Sequence, residues 1–137
     1  MAPKISVVIP CYNVDKYIVE ALNSILNQTF QDWEIVLVDD CSKDRTLDII
    51  KEFAAKDSRI RFIECKSNSG AAYYPRAEAV KASRGEWIHC VDADDYDSLD
   101  CMQKMVERAE ETNADAIYPV AKFVTEDGKE LPLQIPI

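Results

Sequence analysis

Glycine and histidine are scarce in this chain of 137 residues, and basic residues are outnumbered by acidic ones, 16 to 25. Each of these shortages disfavours a class of function. With three glycines, the chain has neither the G-x-G-x-x-G fingerprint of dinucleotide-binding folds nor a Walker phosphate loop. The one histidine, His89, lies in a predicted strand, where we expect a packed or hydrogen-bonded side chain rather than a member of a catalytic triad. The net charge of −9 argues against binding nucleic acid or anionic lipid through bulk charge.

The cysteine pattern does not indicate a zinc framework. There are five cysteines, an odd number, no pair has C-x-x-C spacing, and only one histidine is present. We therefore expect reduced, small apolar side chains and a cytoplasmic protein. No apolar run approaches the roughly 20 residues that a membrane span needs. The intact protein could still be associated with a membrane through parts outside this sequence, for example peripherally at the inner face.

Apolar runs and helical spacing alternate along the chain. They predict strands over residues 4–9, 33–38, 59–64 and 87–91, of which the first is ended by Pro10 and the last is buried. They also predict four helices: one that begins at Tyr17, one over residues 44–55, one that ends at about Ser83 and one over residues 99–111. Asn13 or Asp15 is the expected cap of the first helix, and Ser42 or Asp44 that of the second. A further strand over residues 114–124, a turn at residues 126–128 and the start of an element with Pro132 and Pro136 complete the prediction.

Strand and helix alternate four times, which is typical of an α/β fold. We predict an open, mostly parallel sheet with right-handed crossovers and helices on both faces, and we take its strand order to be 3-2-1-4. No repeat, linker or low-complexity tract interrupts the sequence, so residues 1–137 are predicted to form a single domain.

Polar residues follow the first, second and fourth strands and would share one edge of this sheet. In open parallel sheets ligands bind beyond the carboxyl ends of the strands. There Tyr12 offers a face on which a base can stack, Asp40 could accept a hydrogen bond from a base N–H, and Asp94 or Asp95 could hold a metal against a diphosphate. The alternatives are a turn aromatic at Tyr12, helix-capping acids at residues 39–40 and a solvated acidic turn at residues 92–95.

The acids of residues 92–95 favour a bound cation. Three carboxylates fall within four positions, and like charges this close disfavour one another's ionisation. A hard divalent cation with a phosphate ligand is the simplest partner, because magnesium takes carboxylate and phosphate oxygens. Arg76 could meet a phosphate, whereas Arg84 is expected to be a solvated surface residue.

Five segments, in order, resemble motifs of the family-2 inverting glycosyltransferases. They are residues 5–13 (V-x-P-x-Y-N), 24–29 (S-x-L-x-Q-T), 34–44 (E-x-x-x-V-D-D-G-S-x-D), 68–70 (N-x-G) and 92–95 (D-x-D-D). Any one motif is weak, but five in register over nearly the whole chain are specific.

The resemblance implies a GT-A fold and metal-dependent transfer of a sugar, with inversion, from a nucleotide-diphosphate donor, UDP-sugar favoured, to an acceptor hydroxyl in glycan synthesis. Carried over by position, Pro10 and Tyr12 would line the base pocket, Asp40 would contact the base, and Arg76 would match the arginine after N-x-G. The implied nucleotide-binding residues are Pro10, Tyr12, Asn13, Asp39, Asp40, Asn68, Gly70, Arg76, Asp92 and Asp94. Asp92, Asp94 and Asp95 would hold Mn²⁺ or Mg²⁺.

The sequence departs from the family pattern at three places. Cys41 stands where glycine is usual, the loop over residues 71–76 is one residue longer, and Ala77-Glu78-Ala79 follows Arg76 in place of N-x-G. The catalytic base of the family lies in an acceptor-binding half, which we expect beyond residue 137. The chain is therefore predicted to be an N-terminal nucleotide-sugar-binding part, truncated at its C-terminal side, of an enzyme with a glycan or lipid-linked acceptor and no nucleic-acid partner. The alternatives are a nucleotide-sugar-binding module that transfers nothing, a phosphotransfer enzyme or receiver domain, and a structural role.

Overall fold

The computed structural model describes residues 1–132, over which strands and helices alternate as predicted. The elements are β1 Ile5–Cys11, α1 Ile18–Leu26, β2 Trp33–Asp39, α2 Thr46–Lys56, β3 Ile60–Glu64, α3 Tyr73–Ala82, β4 Trp87–Cys90 and α4 Cys101–Thr112. None of the helices described is both long and apolar enough to cross a bilayer.

The strands form one parallel sheet in the predicted order, β3-β2-β1-β4. In its register, Ile35 of β2 lies opposite Val7 of β1 and Ile60 of β3. Every residue of β1 and β2 is buried, which requires cover on both faces of the sheet. One face packs on α3, where Ala79 joins a core cluster with Val8, Val36 and Val38.

Two predicted strand boundaries need correction. β1 does not end at Pro10, because it continues through Pro10 to Cys11 against β2. Proline is tolerated there since the β1–β4 pairing has already ended at Val8. β4 is not a buried strand: within the described chain it pairs only with β1, and Ile88 and Cys90 are exposed on alternate positions.

At the amino end of the sheet, one buried carboxylate binds side chains from three other parts of the chain, a contact that the sequence did not predict. Glu34, 1% exposed, accepts hydrogen bonds from the Ser6 hydroxyl at 2.7 Å and from the guanidinium groups of Arg61 and Arg84 at 2.8–3.1 Å. Arg84 is an exposed residue, as predicted, but its guanidinium also pairs with Glu34, which the sequence did not predict. Gly85 completes this end, because a Cβ there would lie 2.5 Å from the Ser6 backbone nitrogen.

The chain divides into two compact units, Met1–Gln103 and Lys104–Ile137. The first contains the sheet; that residues 1–137 form a single domain stays a prediction.

In the second unit, an isolated antiparallel bridge joins Val124 to Glu130 across the turn predicted at residues 126–128. The strand predicted over residues 114–124 is wrong: β-propensity counts only where a neighbouring strand is available, and residues 114–123 are irregular. Pro132 is likewise irregular, and Pro136 lies outside the described residues.

Candidate functional site

The carboxyl ends of all four strands lie at one edge of the sheet, since the strands are parallel. Tyr12 follows β1, Asp40 follows β2 and the acids of residues 92–95 follow β4. The prediction that these turns share one rim is confirmed by the strand order and direction.

A cleft of about 290 Å³ opens at this edge. Its lining residues are Pro10, Cys11, Tyr12, Asp40, Asn68, Gly70, Ala71, Ala72 and Pro75. Five of the residues proposed from the sequence meet here: Pro10, Tyr12, Asp40, Asn68 and Gly70. The small apolar wall of Ala71, Ala72 and Pro75 was not predicted, because single apolar residues in a loop carry no signal of their own. Tyr12 is 48% exposed, so its ring is available to a ligand.

Asp40 joins the β2 turn to the loop over residues 68–70. Its buried carboxylate accepts hydrogen bonds from the Ser69 amide at 2.9 Å and the Ser69 hydroxyl at 2.7 Å. The Asn68 side chain donates to the Asp40 carbonyl at 2.9 Å and to the Asp40 carboxylate at 3.3 Å, and its own oxygen accepts from the Gly70 amide. A carboxylate has about four acceptor positions, so Asp40 keeps capacity for a further donor from the cleft. Ser69, whose amide and hydroxyl both bind the Asp40 carboxylate, was not among the predicted site residues.

Asp39 is buried at 1% exposure and lies beside Cys11 in the sheet register. One carboxylate oxygen accepts from the Ser42 amide at 3.2 Å, while the other has no hydrogen-bond partner among the described residues. Burial first, and the Asp39 charge second, raise the pKa of the Cys11 thiol. Asp39 does not line the cleft, so its predicted contact with the nucleotide stays a prediction.

Asn13 and Asp15 do not cap α1 as predicted, since no side chain caps that helix. The Asn13 side chain instead accepts from the Lys43 amide at 2.7 Å, and the Ser42 hydroxyl accepts from the Asn13 amide at 3.0 Å. Asp15 accepts from the Arg45 amide in the same way. These bonds hold the turn after β1 against the turn after β2. Neither Ser42 nor Asp44 is the N-cap of α2, which is Arg45, although Asp44 does accept from the Thr46 amide at 2.9 Å.

The acidic turn after β4 is exposed and carries unbalanced negative charge. Asp92, Asp94 and Asp95 are all exposed, and the Asp95 amide closes the turn by donating to the Asp92 carbonyl. Burial raises the pKa of the Asp95 carboxyl most, and the neighbouring charges of Asp94, Asp92 and Asp97 raise it further. Hard oxygen donors that repel one another fit a divalent cation.

The three acids do not by themselves form a closed metal cage. Over residues 1–132, the group of three potential ligands whose donor atoms lie within 4.8 Å of one another is His89, Asp97 and Cys101. Asp92 is instead paired with Arg76 at 2.7 Å. Magnesium is commonly held by one or two carboxylates together with substrate phosphates. The acidic turn fits that open kind of site.

Arg76 and His89 each pair with an aspartate on the carboxyl side of β4. Arg76 reaches the acidic turn through Asp92, and its Nε is buried without a hydrogen-bond partner in the described chain. His89 donates to or accepts from Asp97 at 2.6 Å, so the prediction of a hydrogen-bonded side chain is confirmed.

Cys41 has a φ of 66°, the left-handed conformation for which glycine is the usual residue. We expect Cys41→Gly to raise the free energy of unfolding by about 1 kcal/mol, because the left-handed cost of about 1–2 kcal/mol outweighs the added freedom of the unfolded chain. Urea denaturation measures this change in the free energy of unfolding. Cys41→Ser is the matched control, since it removes the thiol but keeps Cβ; a glycine variant no more stable than the serine variant would contradict the expectation.

Comparison with known proteins places these features in a family. A family model described as Glycosyl transferase family 2 matches residues 6–136. The uncharacterized glycosyltransferase EpsJ of Bacillus subtilis is 40% identical over 117 residues, which make up 85% of this chain and 33% of that protein. The poly(ribitol-phosphate) beta-N-acetylglucosaminyltransferase TarS of Staphylococcus aureus is 36% identical over 131 residues, 94% of this chain and 22% of that protein. The chain thus spans a third or less of these two relatives.

Two solved structures share the fold. S. aureus TarS 1-349 in complex with UDP-GlcNAc has a TM-score of 0.77 at 38% identity, covering 82% of this chain and 32% of that one. The mannosyltransferase PcManGT of Pyrobaculum calidifontis, in complex with GDP-Man and Mn²⁺, has a TM-score of 0.62 at 27% identity. The match covers 70% of this chain and 29% of that one. Both agree with the predicted GT-A-like sheet. The family match over nearly the whole chain, on a sheet of the predicted order, shows that this protein belongs to glycosyltransferase family 2.

Proposed function

We propose that this chain is the nucleotide-sugar-binding part of a glycosyltransferase that moves a sugar from a nucleotide-diphosphate donor to an acceptor hydroxyl with inversion. The observation that carries the proposal is the cleft lined by Tyr12, Asp40 and Asn68, on the same edge of the sheet as the acids of residues 92–95. A base-sized cleft and an anionic turn are the two sites that a nucleoside diphosphate with its cation requires.

Each part of the donor has a partner in the proposal. The ring of Tyr12 stacks on the base, and the remaining acceptor capacity of Asp40 takes a base N–H, such as the N3–H of uracil. Arg76 provides positive charge beside Asp92, where a phosphate can approach. The small side chains of Ala71 and Ala72 leave room in the cleft wall. Asn13 and Asp39, which brace the adjoining turns, support the base pocket.

Asp94 and Asp95, with Asp92, would hold Mn²⁺ or Mg²⁺ in this proposal. Such a cation, when bound, supplies charge neutralisation for the departing diphosphate. Relatives support the choice of donor: TarS was solved with UDP and with UDP-GlcNAc, and PcManGT with GDP-Man and Mn²⁺. The attacking hydroxyl would be deprotonated by a base beyond residue 137. A glycan or lipid-linked polymer is the proposed acceptor, and the cytoplasm, against the inner face of the membrane, is the proposed location.

A thermal-shift screen tests the proposal. We expect UDP and UDP-sugars with Mn²⁺ to raise the melting temperature by several degrees, since a ligand at 100 times its Kd stabilises the folded state by about 2.7 kcal/mol. AMP at the same concentration is the control for nonspecific nucleotide effects. No shift with any nucleoside diphosphate, in the presence of Mn²⁺, would contradict the proposal.

The second candidate is a module that binds nucleotide-sugar and transfers nothing. It is favoured by the coverage, because the chain spans 33% of EpsJ and 22% of TarS. A transfer assay that compares residues 1–137 with the full-length parent separates the two. Sugar transfer by the parent alone indicates a binding part of an enzyme, whereas transfer by neither indicates a module.

A further inference from the structure

A histidine, an aspartate and a cysteine converge at the start of α4, outside the cleft. The ligand atoms of His89, Asp97 and Cys101 all lie within 4.8 Å of one another, and His89 Nε2 is 2.6 Å from Asp97 Oδ2. They come from three different pieces of chain: β4, the loop after it and the first residue of α4. We propose that these three side chains bind a transition-metal cation of the Zn²⁺ type, which stabilises the acidic turn between them.

The donor set fits such a cation in charge and in kind. An aspartate carboxylate and a cysteine thiolate together balance a divalent charge, and a neutral imidazole completes three protein ligands. Nitrogen and sulfur donors favour Zn²⁺ over Mg²⁺ or Mn²⁺, which prefer oxygen. The fourth tetrahedral position would be taken by water. This site and the all-oxygen acidic turn therefore select different metals.

The distance between His89 and Asp97 requires only a small movement. With Zn–N and Zn–O bonds of about 2.0–2.2 Å, the two atoms of a tetrahedral edge lie about 3.3 Å apart. His89 Nε2 and Asp97 Oδ2 would separate by about 0.7 Å as the cation replaced the proton between them. Both side chains are mostly buried, at 12% and 16% exposure, so water competes weakly for their ligand atoms.

Hydrogen bonds from α1 and the turn after it hold the segment from Asp97 to Met102, which includes Cys101. The Asp97 amide donates to the Ser24 hydroxyl at 3.1 Å. Gln28, only 2% exposed, donates to the Ser98 carbonyl at 2.6 Å and accepts from the Met102 amide at 3.0 Å. Backbone groups held on both sides of the ligands reduce the conformational entropy lost on binding a metal.

The position of the site indicates its role. In the chain, the acidic turn over residues 92–95 lies between His89 and Asp97. A cation bound by His89, Asp97 and Cys101 would therefore connect the end of β4 to the start of α4 and close the loop that contains the turn. Closing a loop restricts the unfolded chain and the loop alike. The inference does not depend on the nucleotide-binding proposal, since neither the cleft nor the acids of the turn supply its ligands.

Cobalt titration of the full 137-residue chain tests the site. After treatment with a chelator and its removal, we expect one equivalent of Co²⁺ to give a thiolate-to-cobalt charge-transfer band and intense tetrahedral d–d bands, and Zn²⁺ to displace it. Cys101→Ser should abolish the charge-transfer band, and His89→Gln should weaken binding at least about 100-fold, beyond the loss expected for an outer hydrogen-bond partner.

Cys90→Ser is the matched control, because Cys90 is an exposed cysteine of β4 that is not part of the cluster. It should bind Co²⁺ as the unchanged chain does. Absence of the band in the unchanged chain, or its persistence in Cys101→Ser, would overturn the inference. The spectrum of the unchanged chain is decisive even where a variant fails to fold.

Discussion

Replacing Asp94 and Asp95 together by asparagine is expected to abolish Mn²⁺-dependent binding of UDP while the fold survives. Both side chains are exposed, so neither contributes to the core. Burial raises the pKa of the Asp95 carboxyl most, and the neighbouring charges of Asp94, Asp92 and Asp97 raise it further, in keeping with the repulsion expected between carboxylates this close. Neutralising two of them removes the attraction for Mn²⁺ and relieves this repulsion.

The expected loss is at least about 100-fold in UDP affinity with Mn²⁺ present, because removing one side of a close charge pair commonly costs about 2–5 kcal/mol. Isothermal calorimetry with and without Mn²⁺ measures it, and circular dichroism checks the fold. The control is the double variant Asp32→Asn/Glu52→Gln, which removes the same two charges from exposed positions outside the acidic turn. Unchanged Mn²⁺-dependent affinity in the Asp94/Asp95 variant would eliminate the proposed metal site.

Glu34→Gln is expected to lower the free energy of unfolding by about 3 kcal/mol, the largest stability effect that we predict. Glu34 is buried and accepts hydrogen bonds from Ser6, Arg61 and Arg84, including the Arg84 amide at 2.8 Å. An amide in its place leaves two guanidinium groups without their counter-charge, and breaking a buried ion pair commonly costs about 3–5 kcal/mol. We take the lower end because Arg61 and Arg84 are partly exposed and can be hydrated.

Urea denaturation at neutral pH measures the Glu34 effect, and Glu86→Gln is its matched control. Glu86 makes the same kind of bond, to Lys4 at 2.8 Å, but its side chain is 64% exposed. The identical chemical change should therefore cost less than about 1 kcal/mol there. Equal losses at both positions would show that the buried network does not stabilise the sheet.

The same network predicts how stability depends on pH. Burial alone raises the pKa of the Glu34 carboxyl, but hydrogen bonds from Ser6, Arg84 and Arg61 outweigh it and lower the pKa to about 2. A group with a depressed pKa in the folded state stabilises fully above its ordinary pKa of about 4.5, and its contribution is lost as the pH falls towards 2. The stability difference between the unchanged chain and Glu34→Gln should thus shrink between about pH 5 and about pH 2.

Several features of the fold followed directly from local sequence. The apolar runs of β1 and β2 are flanked by polar turns, and alternation with helices forces parallel strands joined by right-handed crossovers. That argument predicted parallel strands, and with the assumed order 3-2-1-4 it placed Tyr12, Asp40 and Asp94 on one rim. It failed where an element needed a distant partner: residues 114–124 have the composition of a strand, yet the described chain provides them no neighbouring strand.

The sequence by itself determined the architecture and the edge of the sheet at which polar residues gather, because element type and crossover direction depend on local periodicity and backbone chirality. Only the tertiary structure decided which groups meet: Asp40 with Ser69, Glu34 with Arg61 and Arg84, and His89 with Asp97 and Cys101. The first two sets join residues 27–50 positions apart. No local pattern records such pairings, since they arise only when packed strands bring buried polar groups into a place where each must find a partner.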